Sequence, residues 1–349
     1  MTLPPLAEWP RRAILSEYFV FILTVAYVLV LWPFIPWLLG QRNVGDILSN
    51  MWPLLAIAVG QTFVLVSAGI DLSQTSIMAV TSVIGAMIMT RGLDPVLFSK
   101  SPFWGIFLGE QGGPLAGSPA AVPVAILAML LVGTIIGLGN GACVAFIRMP
   151  PFIVTLVSQL LFSAVAIFLT KSENIRHLPD EYLALGQGNL GIVPIAMIIT
   201  VTLAVTAHVL MSRTAYGRRL YATGNNPVAS RVSGVSTTRV IVSVYAISGF
   251  CAAIGSILYS ARLEMGRPTL GSGQLLDIVG ATVIGGVSLA GGKGKVTWTF
   301  FGVLFYVVLA NTLNLLNLSF FTIDMVKGGV ILFAALMDVM RTRAMAARN

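Results

Sequence analysis

Long apolar stretches separated by short polar ones run through almost the whole chain. A helix that crosses a lipid bilayer needs about 20 mostly apolar residues, and ten segments approach that length. They are 18–39, 51–68, 73–90, 120–147, 152–170, 191–211, 238–262, 275–291, 295–316 and 320–339. The pattern predicts an all-α integral membrane protein with about ten transmembrane helices, built as one transmembrane domain over residues 1–349.

Composition agrees with this interpretation. The chain has 349 residues, of which 56% are apolar and 10% are charged, whereas soluble domains carry about 25% charged residues. Arg11 and Arg12 precede the apolar run from Tyr18 to Leu39. That run is too long for the apolar core of a signal peptide and lacks a small-residue cleavage site. We therefore expect an uncleaved first span.

Charge is distributed unevenly between the predicted loops. The net charge is +8, and most of the 21 basic residues lie in alternate loops or tails. These residues are Arg11, Arg12, Arg148, Arg213, Arg218, Arg219, Arg231, Arg239, Lys293, Lys295, Arg341, Arg343 and Arg348. Acids collect in the other loops, at Asp94, Glu110, Glu173, Asp180, Glu181 and Glu264. Because basic loops stay on the cytoplasmic side, both termini (1–17 and 340–349) and the loop 212–237 are predicted inside. No nucleic-acid partner is needed to explain the charge.

A weak internal repeat relates the two halves of the chain. Gln74 and the run to Gly85 match Gln274 and the run to Gly285 at an offset of 200. Asn140 matches Asn311 at an offset of 171, and the 29-residue loop 91–119 accounts for the difference between the two offsets. Duplicated halves of opposite orientation with short broken helices are a known transporter design. We therefore predict two pseudo-symmetric halves, with short broken helices at 73–90 and 275–291.

The polar segment 212–237 interrupts this apolar pattern. Asn226 suits the N-cap of a short helix, Pro227 its first position and Gly234 the left-handed position after its end. Arg231 falls in the last turn, where it complements the helix dipole. A rigid helix between two spans can pass motion to or from a docked protein. The alternative is an ordinary solvated loop.

Two carboxylates lie among apolar residues, where charge is costly. Asp71 and Asp277 each permit two interpretations, as a residue that caps the nearby helix or as one that lines a solute pathway. Neutral polar residues are scattered through the spans, as expected for a pathway that conducts a polyhydroxylated solute. Hydrogen bonding between helices is the alternative for each of them. The candidate pathway residues are Gln61, Asp71, Gln74, Asn140, Gln274, Asp277 and Asn311.

Glycine recurs every fourth residue at Gly133, Gly137 and Gly141. This spacing lets two helix backbones approach closely, either within the chain or against a second copy. The neighbouring run from Gly137 to Ala142 resembles a dinucleotide fingerprint, but it lies within a span and follows no strand.

The sequence contains no complete motif for catalysis, nucleotide binding or metal binding. The run from Gly291 to Lys295 lacks the first Gly and the Ser/Thr of a phosphate-binding loop, so we expect any ATP hydrolysis to occur in another subunit. His177 and His208 lie far apart, and Cys143 and Cys251 lie in apolar spans. The sequence predicts no catalytic residues, no metal and no bound cofactor.

Five stretches together resemble the permease subunits of ribose/xylose-type sugar ABC importers, within the branched-chain amino acid/ribose permease superfamily. The resemblance covers residues 43–343. The stretches are Gly69–Ser73; Pro150–Leu156; Gly217, Arg218, Tyr221, Ala222, Gly224, Asn226, Ala229, Arg231, Ser233 and Gly234; Gly285, Gly286, Ser288 and Gly291–Gly294; and Asn311 with Val326–Gly328.

This resemblance implies an inner-membrane permease of a bacterium, paired with a second permease copy or a paralogue. It further implies a cytoplasmic ATP-binding cassette ATPase and a periplasmic solute-binding protein as partners. The capped helix would be the coupling helix, with the ATPase at or near Gly217, Arg218, Tyr221, Asn226, Ala229, Arg231, Ser233 and Gly234.

The chain also departs from the family pattern. Leu275 stands where the family usually has an acidic residue, Asn225 where it usually has Gly, and the insertion 91–119 is longer than usual and expected on the outer face. Because the binding protein generally sets specificity, we expect a monosaccharide or related polyol without naming it. The alternatives are a permease for nucleosides or branched-chain amino acids and a self-sufficient secondary carrier or channel.

Overall fold

A computed structural model describes residues 18–346, with side chains described up to residue 336. Within that range lie fourteen α-helices, one 3₁₀ turn and one short hairpin. The helices are α1 Phe19–Leu31, α2 Gln41–Val66, α3 Gln74–Met89, α4 Pro95–Phe98, α5 Ala121–Ala145, α6 Pro151–Thr170, α7 Asp180–Gln187, α8 Ile195–Arg213, α9 Ala215–Asn225, α10 Pro227–Val232, α11 Thr237–Leu263, α12 Leu275–Ile284, α13 Val296–Leu315 and α14 Phe320–Ala346. The 3₁₀ turn is Pro36–Leu39, and the antiparallel strands are β1 Asn189–Leu190 and β2 Val193–Pro194.

The predicted all-α membrane architecture is confirmed. Among the described residues, six helices are long and apolar enough to cross a membrane, namely α2, α5, α6, α8, α11 and α13. Helices α1, α3 and α12 are apolar but shorter, and α14 has 27 residues. Each of the ten predicted segments therefore corresponds to one helix.

Some predicted boundaries were wrong. Helix α1 ends at Leu31 because Pro33 and Pro36 follow, and proline cannot continue the hydrogen-bonding pattern. Helix α2 begins at Gln41 rather than at residue 51, since the polar stretch before Pro53 is helical too. At the other end of the chain, α14 continues to Ala346 through most of the predicted tail 340–349, while the predicted tail 1–17 lies outside the described residues.

Helices α3 and α12, which were predicted to be broken, are each continuous. The breaks lie in the non-helical segments next to them. Helix α3 has 16 residues and follows a non-helical linker, residues 67–73. Helix α12 has 10 residues and stops before Gly286, whose φ of 106° only glycine adopts readily. Both interruptions are short enough to remain inside the bundle.

The packing of the helices repeats between the two halves. In the first half α3 packs against α5 and α6, and in the second half α12 packs against α13 and α14. Helix α11 packs against α5 of the first half, and α2 packs against α13 of the second. Helices α2 and α11 meet each other between the halves. Each half thus packs one helix against the other half in the same way, as two-fold pseudo-symmetry requires. This arrangement supports the predicted division into two halves.

Burial separates a central layer from a peripheral one. In the most apolar window of α2, 83% of the residues are buried, whereas the corresponding share is 22% in α6 and in α8. The exposed side chains of α6 include Phe152, Leu160 and Phe168. An apolar helix surface left uncovered by protein is the surface that lipid solvates. Helix α2 therefore lies in the core, and α6 and α8 lie at the lipid boundary.

The glycine spacing in α5 packs within the chain, against α11. A Cβ at Gly137 would lie 2.2 Å from the carbonyl oxygen of Tyr245, and one at Gly133 would lie 2.6 Å from that of Gly249. Gly141 faces Val242 in the same way, with a Cβ separation of 2.8 Å from its Cα. These approaches are possible only without side chains, so the prediction of close helix packing is confirmed.

Replacing Gly137 by Ala should separate α5 from α11, because the new methyl group has no room beside the Tyr245 carbonyl. We expect a loss of about 1–3 kcal/mol, the usual cost of overpacking a dense interior. Thermal unfolding of the purified protein in detergent measures the effect.

Gly139 is the matched control, since a Cβ there meets nothing within 4 Å. Gly139→Ala should leave the melting temperature unchanged or raise it, because alanine favours the helix by about 1 kcal/mol over glycine. Equal melting temperatures for the two variants would contradict the packing described.

Candidate functional site

One end of the bundle is strongly basic. It consists of residues 212–239, which contain no Asp or Glu, and the loop 285–295. The exposed basic side chains there are Arg213, Arg218, Arg219, Arg231, Arg239 and Lys293. This surface, called the basic end below, presents positive charge to whatever lies next to it.

Helix α10 begins as the sequence predicts. The side-chain oxygen of Asn226 accepts hydrogen bonds from the backbone N–H groups of Val228 at 3.0 Å and Ala229 at 2.9 Å. Pro227 occupies the first helical position, where its missing N–H costs nothing. The predicted N-cap at Asn226 is confirmed.

The end of α10 is equally well defined. Gly234 has a φ of 82° and donates to the carbonyl oxygen of Arg231 at 3.0 Å. Val235 donates to the carbonyl oxygen of Ser230 at 2.9 Å. These two bonds form a Schellman motif, which satisfies the last carbonyls of a helix. Ser233 is the C-cap residue, so α10 is a short helix fixed at both ends.

Helix α9, which precedes α10, was not predicted. It runs from Ala215 to Asn225 and starts at Thr214, whose hydroxyl oxygen accepts from the N–H of Gly217 at 3.3 Å. The signal was a Thr N-cap followed by buried Gly217, Leu220 and Gly224 at helical spacing. The two glycines concealed it because glycine is a poor helix former.

Helix α9 contacts both halves of the bundle at one point. The N–H of Gly292, in the loop between α12 and α13, donates to the carbonyl oxygen of Val66 at the end of α2 at 2.9 Å. A Cβ at Gly224 would lie 1.8 Å from that same oxygen. The hydroxyl of Tyr221 donates to the carbonyl oxygen of Gly294 at 2.6 Å. Helix α9 therefore packs against the junction between the two halves, which is the contact of Gly292 with Val66.

Within the part of the chain that the structure describes, the outward surface of α10 is uncovered. Val232 is 86% exposed and Val228 is 67% exposed, and Ala229, Arg231 and Ser233 are exposed beside them. A rigid surface that combines apolar side chains with one cation suits docking to another protein.

A second candidate region lies inside the bundle, around Asp71. This side chain is fully buried. Its Oδ1 accepts from the N–H of Ser73 at 2.9 Å and from the hydroxyl of Ser73 at 2.6 Å, and its Oδ2 accepts from the hydroxyl of Ser248 at 2.6 Å. The N-cap of α3 is Ser73, so the interpretation of Asp71 as the capping residue itself was wrong.

Two side-chain amides continue this network outward. Asn140 donates to the hydroxyl oxygen of Ser73 at 2.9 Å, and Gln74 donates to that of Ser248 at 2.9 Å. Gln74 also donates to the carbonyl oxygen of Ile57 at 3.2 Å. Apart from the bond to Ile57, every bond is directed towards the carboxylate, which can only accept when ionised. The network joins the linker 67–73 to α2, α5 and α11.

Asp71, Gln74 and Asn140 are thus brought together as one cluster. Ser73 and Ser248 complete it but were not predicted as site residues. Ser73 follows Asp71 in a sequence that favours a local side-chain-to-backbone turn, whereas Ser248 lies in an apolar helix and gave no signal.

The remaining predicted pathway residues lie elsewhere. Asp277 in α12 accepts from the hydroxyl of Tyr306 and pairs with Lys327 of α14, whose Nζ is 3.3 Å from Oδ1. The side chains of Asp277 and Lys327 are only 23% and 16% exposed, respectively. Lys327 was missed, although a lone lysine in an apolar helix predicts a buried partner.

No hydrogen bond within the described residues joins the other three predicted residues to Asp71 or to Asp277. Asn311 exchanges hydrogen bonds with Asn43 at 2.9 and 3.0 Å, tying α13 to the start of α2. Gln61 is fully buried, and neither polar atom of its amide has a partner among the described residues. Gln274 is the N-cap of α12, and within the same part of the chain its buried Oε1 has no partner. The seven predicted residues therefore form no single cluster.

Among residues 18–346, no group of three or more His, Cys, Asp or Glu side chains is placed to hold a metal ion.

A helical bundle of two related halves, with lipid-facing outer helices and short helices ending inside, is the architecture of many membrane transport permeases. A family model described as "Branched-chain amino acid transport system / permease component" matches residues 43–335, and the chain belongs to that family.

Relatives with assigned names are also described as permeases. The chain is 34% identical over 305 residues to the ribose import permease protein RbsC of Bacillus subtilis (strain 168), covering 87% of this chain and 86% of that one. It is 33% identical over 301 residues to RbsC of Escherichia coli (strain K12), covering 85% of each. The xylose transport system permease protein XylH of Haemophilus influenzae (strain ATCC 51907 / DSM 11121 / KW20 / Rd) is 28% identical over 368 residues, covering 88% of this chain and 91% of that one. No solved structure matches the chain.

The resemblance to ribose/xylose-type permeases is confirmed by these matches. The chain is a multi-pass membrane protein and a transport permease.

Asp71→Asn tests the direction of the buried hydrogen bonds. The new amide would present a donor to groups that already donate, and one of them would lose its acceptor. We expect a loss of about 1–3 kcal/mol, the cost of an unsatisfied buried polar group, measured by thermal unfolding in detergent. Asp46→Asn on the exposed start of α2 makes the same chemical change as a control. A melting temperature for Asp71→Asn equal to that of the control would be incompatible with the network.

The ion pair between Asp277 and Lys327 is tested by a double-mutant cycle. Asp277→Asn and Lys327→Met should each destabilise the protein, because each leaves a mostly buried charge without its partner. The double variant should lose less than the sum of the two, by about 1 kcal/mol or more of coupling. Strictly additive effects on unfolding would show that the two groups do not interact.

Proposed function

We propose that this chain is the membrane-spanning permease subunit of an ATP-driven importer for a monosaccharide or related polyol. In this proposal a binding protein delivers the solute to the end of the bundle opposite the basic end, and an ATP-binding cassette ATPase docks on helices α9 and α10 of the basic end. The solute class is supported by the relatives whose names specify ribose import and xylose transport.

The observation that carries the proposal is the rigid, uncovered helix α10 beside the junction of the two halves. Its cap bonds fix its shape, and its exposed valines and arginine supply a contact surface. The proposed ATPase contact comprises Ala229, Arg231, Ser233 and Gly234, with Asn226 holding α10 in place. Gly217, Arg218 and Tyr221 contribute from α9, which supports α10.

The orientation follows from charge. The basic end would face the cytoplasm by the positive-inside rule, which also puts both termini there. The membrane would then be the bacterial inner membrane, and a second permease copy or paralogue would complete the pathway.

A mechanical route from α10 to the interior is available through direct contacts. Motion of α10 would move α9, which rests on the carbonyl oxygen of Val66 and on the loop 285–295. Val66 is followed by the linker 67–73, which Ser73 ties to α5 and Asp71 ties to α11. Because the junction belongs to both halves, displacement there would change their relative position, as alternating access requires.

The pathway residues remain a proposal as well. Among the predicted pathway residues, Gln61 and the Oε1 atoms of Gln74 and Gln274 have no hydrogen-bond partner within the described part of the chain, so they are free to bind sugar hydroxyls as the bundle opens. A charge-poor interior suits an uncharged solute.

Arg231→Glu tests the docking surface. The substitution inverts the one charge of α10 without touching its caps, so the helix should still form. We expect loss of ATP-dependent solute uptake in proteoliposomes and loss of co-purification with the ATPase, while the amount of protein in the membrane stays unchanged. The ATPase is taken from the gene cluster that encodes this chain.

Arg239→Glu provides the matched control, because it inverts another exposed arginine of the basic end outside α9 and α10. It should retain uptake. Normal uptake by Arg231→Glu, or uphill accumulation by vesicles that contain this chain alone, would refute the docking role. Uptake of leucine instead of ribose or xylose by the intact system would assign the chain to the amino-acid branch named in the family description.

A further inference from the structure

The insertion 91–119 is an ordered structure fixed to the ends of two membrane helices. Gly113 donates to the carbonyl oxygen of Thr90 at the end of α3 at 2.9 Å, and Arg91 donates to that of His177 at 2.9 Å. The hydroxyl of Ser101 donates to the carbonyl oxygen of Leu169, in the last turn of α6, at 2.7 Å. These bonds hold the insertion at the end of the bundle opposite the basic end.

Within the insertion, large apolar side chains project outward. Ile106 is 69% exposed, and Val96, Leu97, Phe103 and Phe107 are exposed with it. These five residues are called the apolar tip. The rings of Phe103 and Phe107 pack edge to face with their centroids 5.8 Å apart.

The apolar tip cannot hide its side chains by turning inward. The space beneath it is already filled by Phe98 and Leu108, both buried. The backbone of the tip is closed by hydrogen bonds from Gly105 to the carbonyl oxygen of Leu108 at 2.8 Å and from Leu108 to that of Phe103 at 3.1 Å. Large apolar side chains held outward together in this way mark an interaction surface.

The position of the tip favours lipid as its partner. The bond from Ser101 to Leu169 ties the insertion to the turn of α6 that carries Ile167 and Phe168, both exposed. The insertion is thus fixed to a helix whose exposed apolar surface suits lipid.

Two other connections at the same end of the bundle also expose large apolar side chains. The turn between α1 and α2 exposes Trp32, Phe34 and Trp37, and the hairpin before α8 exposes Leu190 and Ile192. Aromatic side chains concentrate where membrane helices leave the bilayer. The insertion is therefore one of three connections at this end that expose apolar or aromatic side chains.

We propose that the apolar tip of the insertion 91–119 inserts into the bilayer–water interface and anchors that end of α3 and α6 to the membrane surface. The run 101–109 contains no charged residue, so it can enter the headgroup region without desolvating an ion. Asp94, Lys100 and Glu110 flank the run and can remain in water.

Site-directed spin labelling of the full chain in nanodiscs tests this proposal. In a Cys143→Ala, Cys251→Ala background, a nitroxide at Ile106→Cys should be accessible to oxygen and shielded from a water-soluble nickel complex. Gln111→Cys, on the exposed polar part of the same insertion, is the matched control. We expect the ratio of oxygen to nickel accessibility to be several-fold higher at position 106 than at position 111.

Equal ratios at the two positions in nanodiscs with one copy of the chain would overturn the proposal. Shielding at position 106 that appears only with two copies per nanodisc, or only after the binding protein is added, would also overturn it in favour of a protein interface. Because Ile106 points outward, labelling should leave the melting temperature unchanged. That measurement verifies that the labelled protein is folded.

Discussion

Asp71 allows non-helical backbone to lie in the interior of the bundle. A lipid environment offers no water to unpaired N–H and C=O groups, so irregular backbone is tolerated only where protein satisfies it. In the linker 67–73, the Asp71 carboxylate accepts the backbone N–H of Ser73 together with two side-chain hydroxyls, which fixes the start of α3. The carbonyl oxygen of Ile70 accepts from the hydroxyls of Tyr245 and Thr155. The short helix α3 and its packing against α5 and α6 depend on that arrangement.

The second half of the chain treats its carboxylate differently. Around α12 the carboxylate of Asp277 is paired with a cation, Lys327, and accepts from Tyr306. The two halves therefore share a helix arrangement but differ in chemistry: the first half buries its carboxylate among neutral donors, and the second half neutralises it. Asn140 and Asn311, which correspond in the repeat, likewise have different partners, Ser73 and Asn43.

The sequence predicted the features that depend on composition and local backbone chemistry. The ten apolar segments, the caps of α10 and the glycine face of α5 follow from hydropathy, from side-chain capping and from the absence of Cβ atoms. It did not predict the helical start of α2 at Gln41, because those residues are polar and tertiary packing decides their state. It also missed Ser248 and Lys327 as partners of Asp71 and Asp277, since contacts between residues 177 and 50 positions apart leave no local pattern.

The length of α12 has a consequence for the membrane around it. Ten residues of helix extend about 15 Å, which is half of the hydrocarbon thickness of about 30 Å. The connections on either side of α12 must then descend into the depth of the bilayer, where their peptide groups need protein or water as neighbours. A wet cavity that reaches well below the surface of the membrane is the natural outcome at that position.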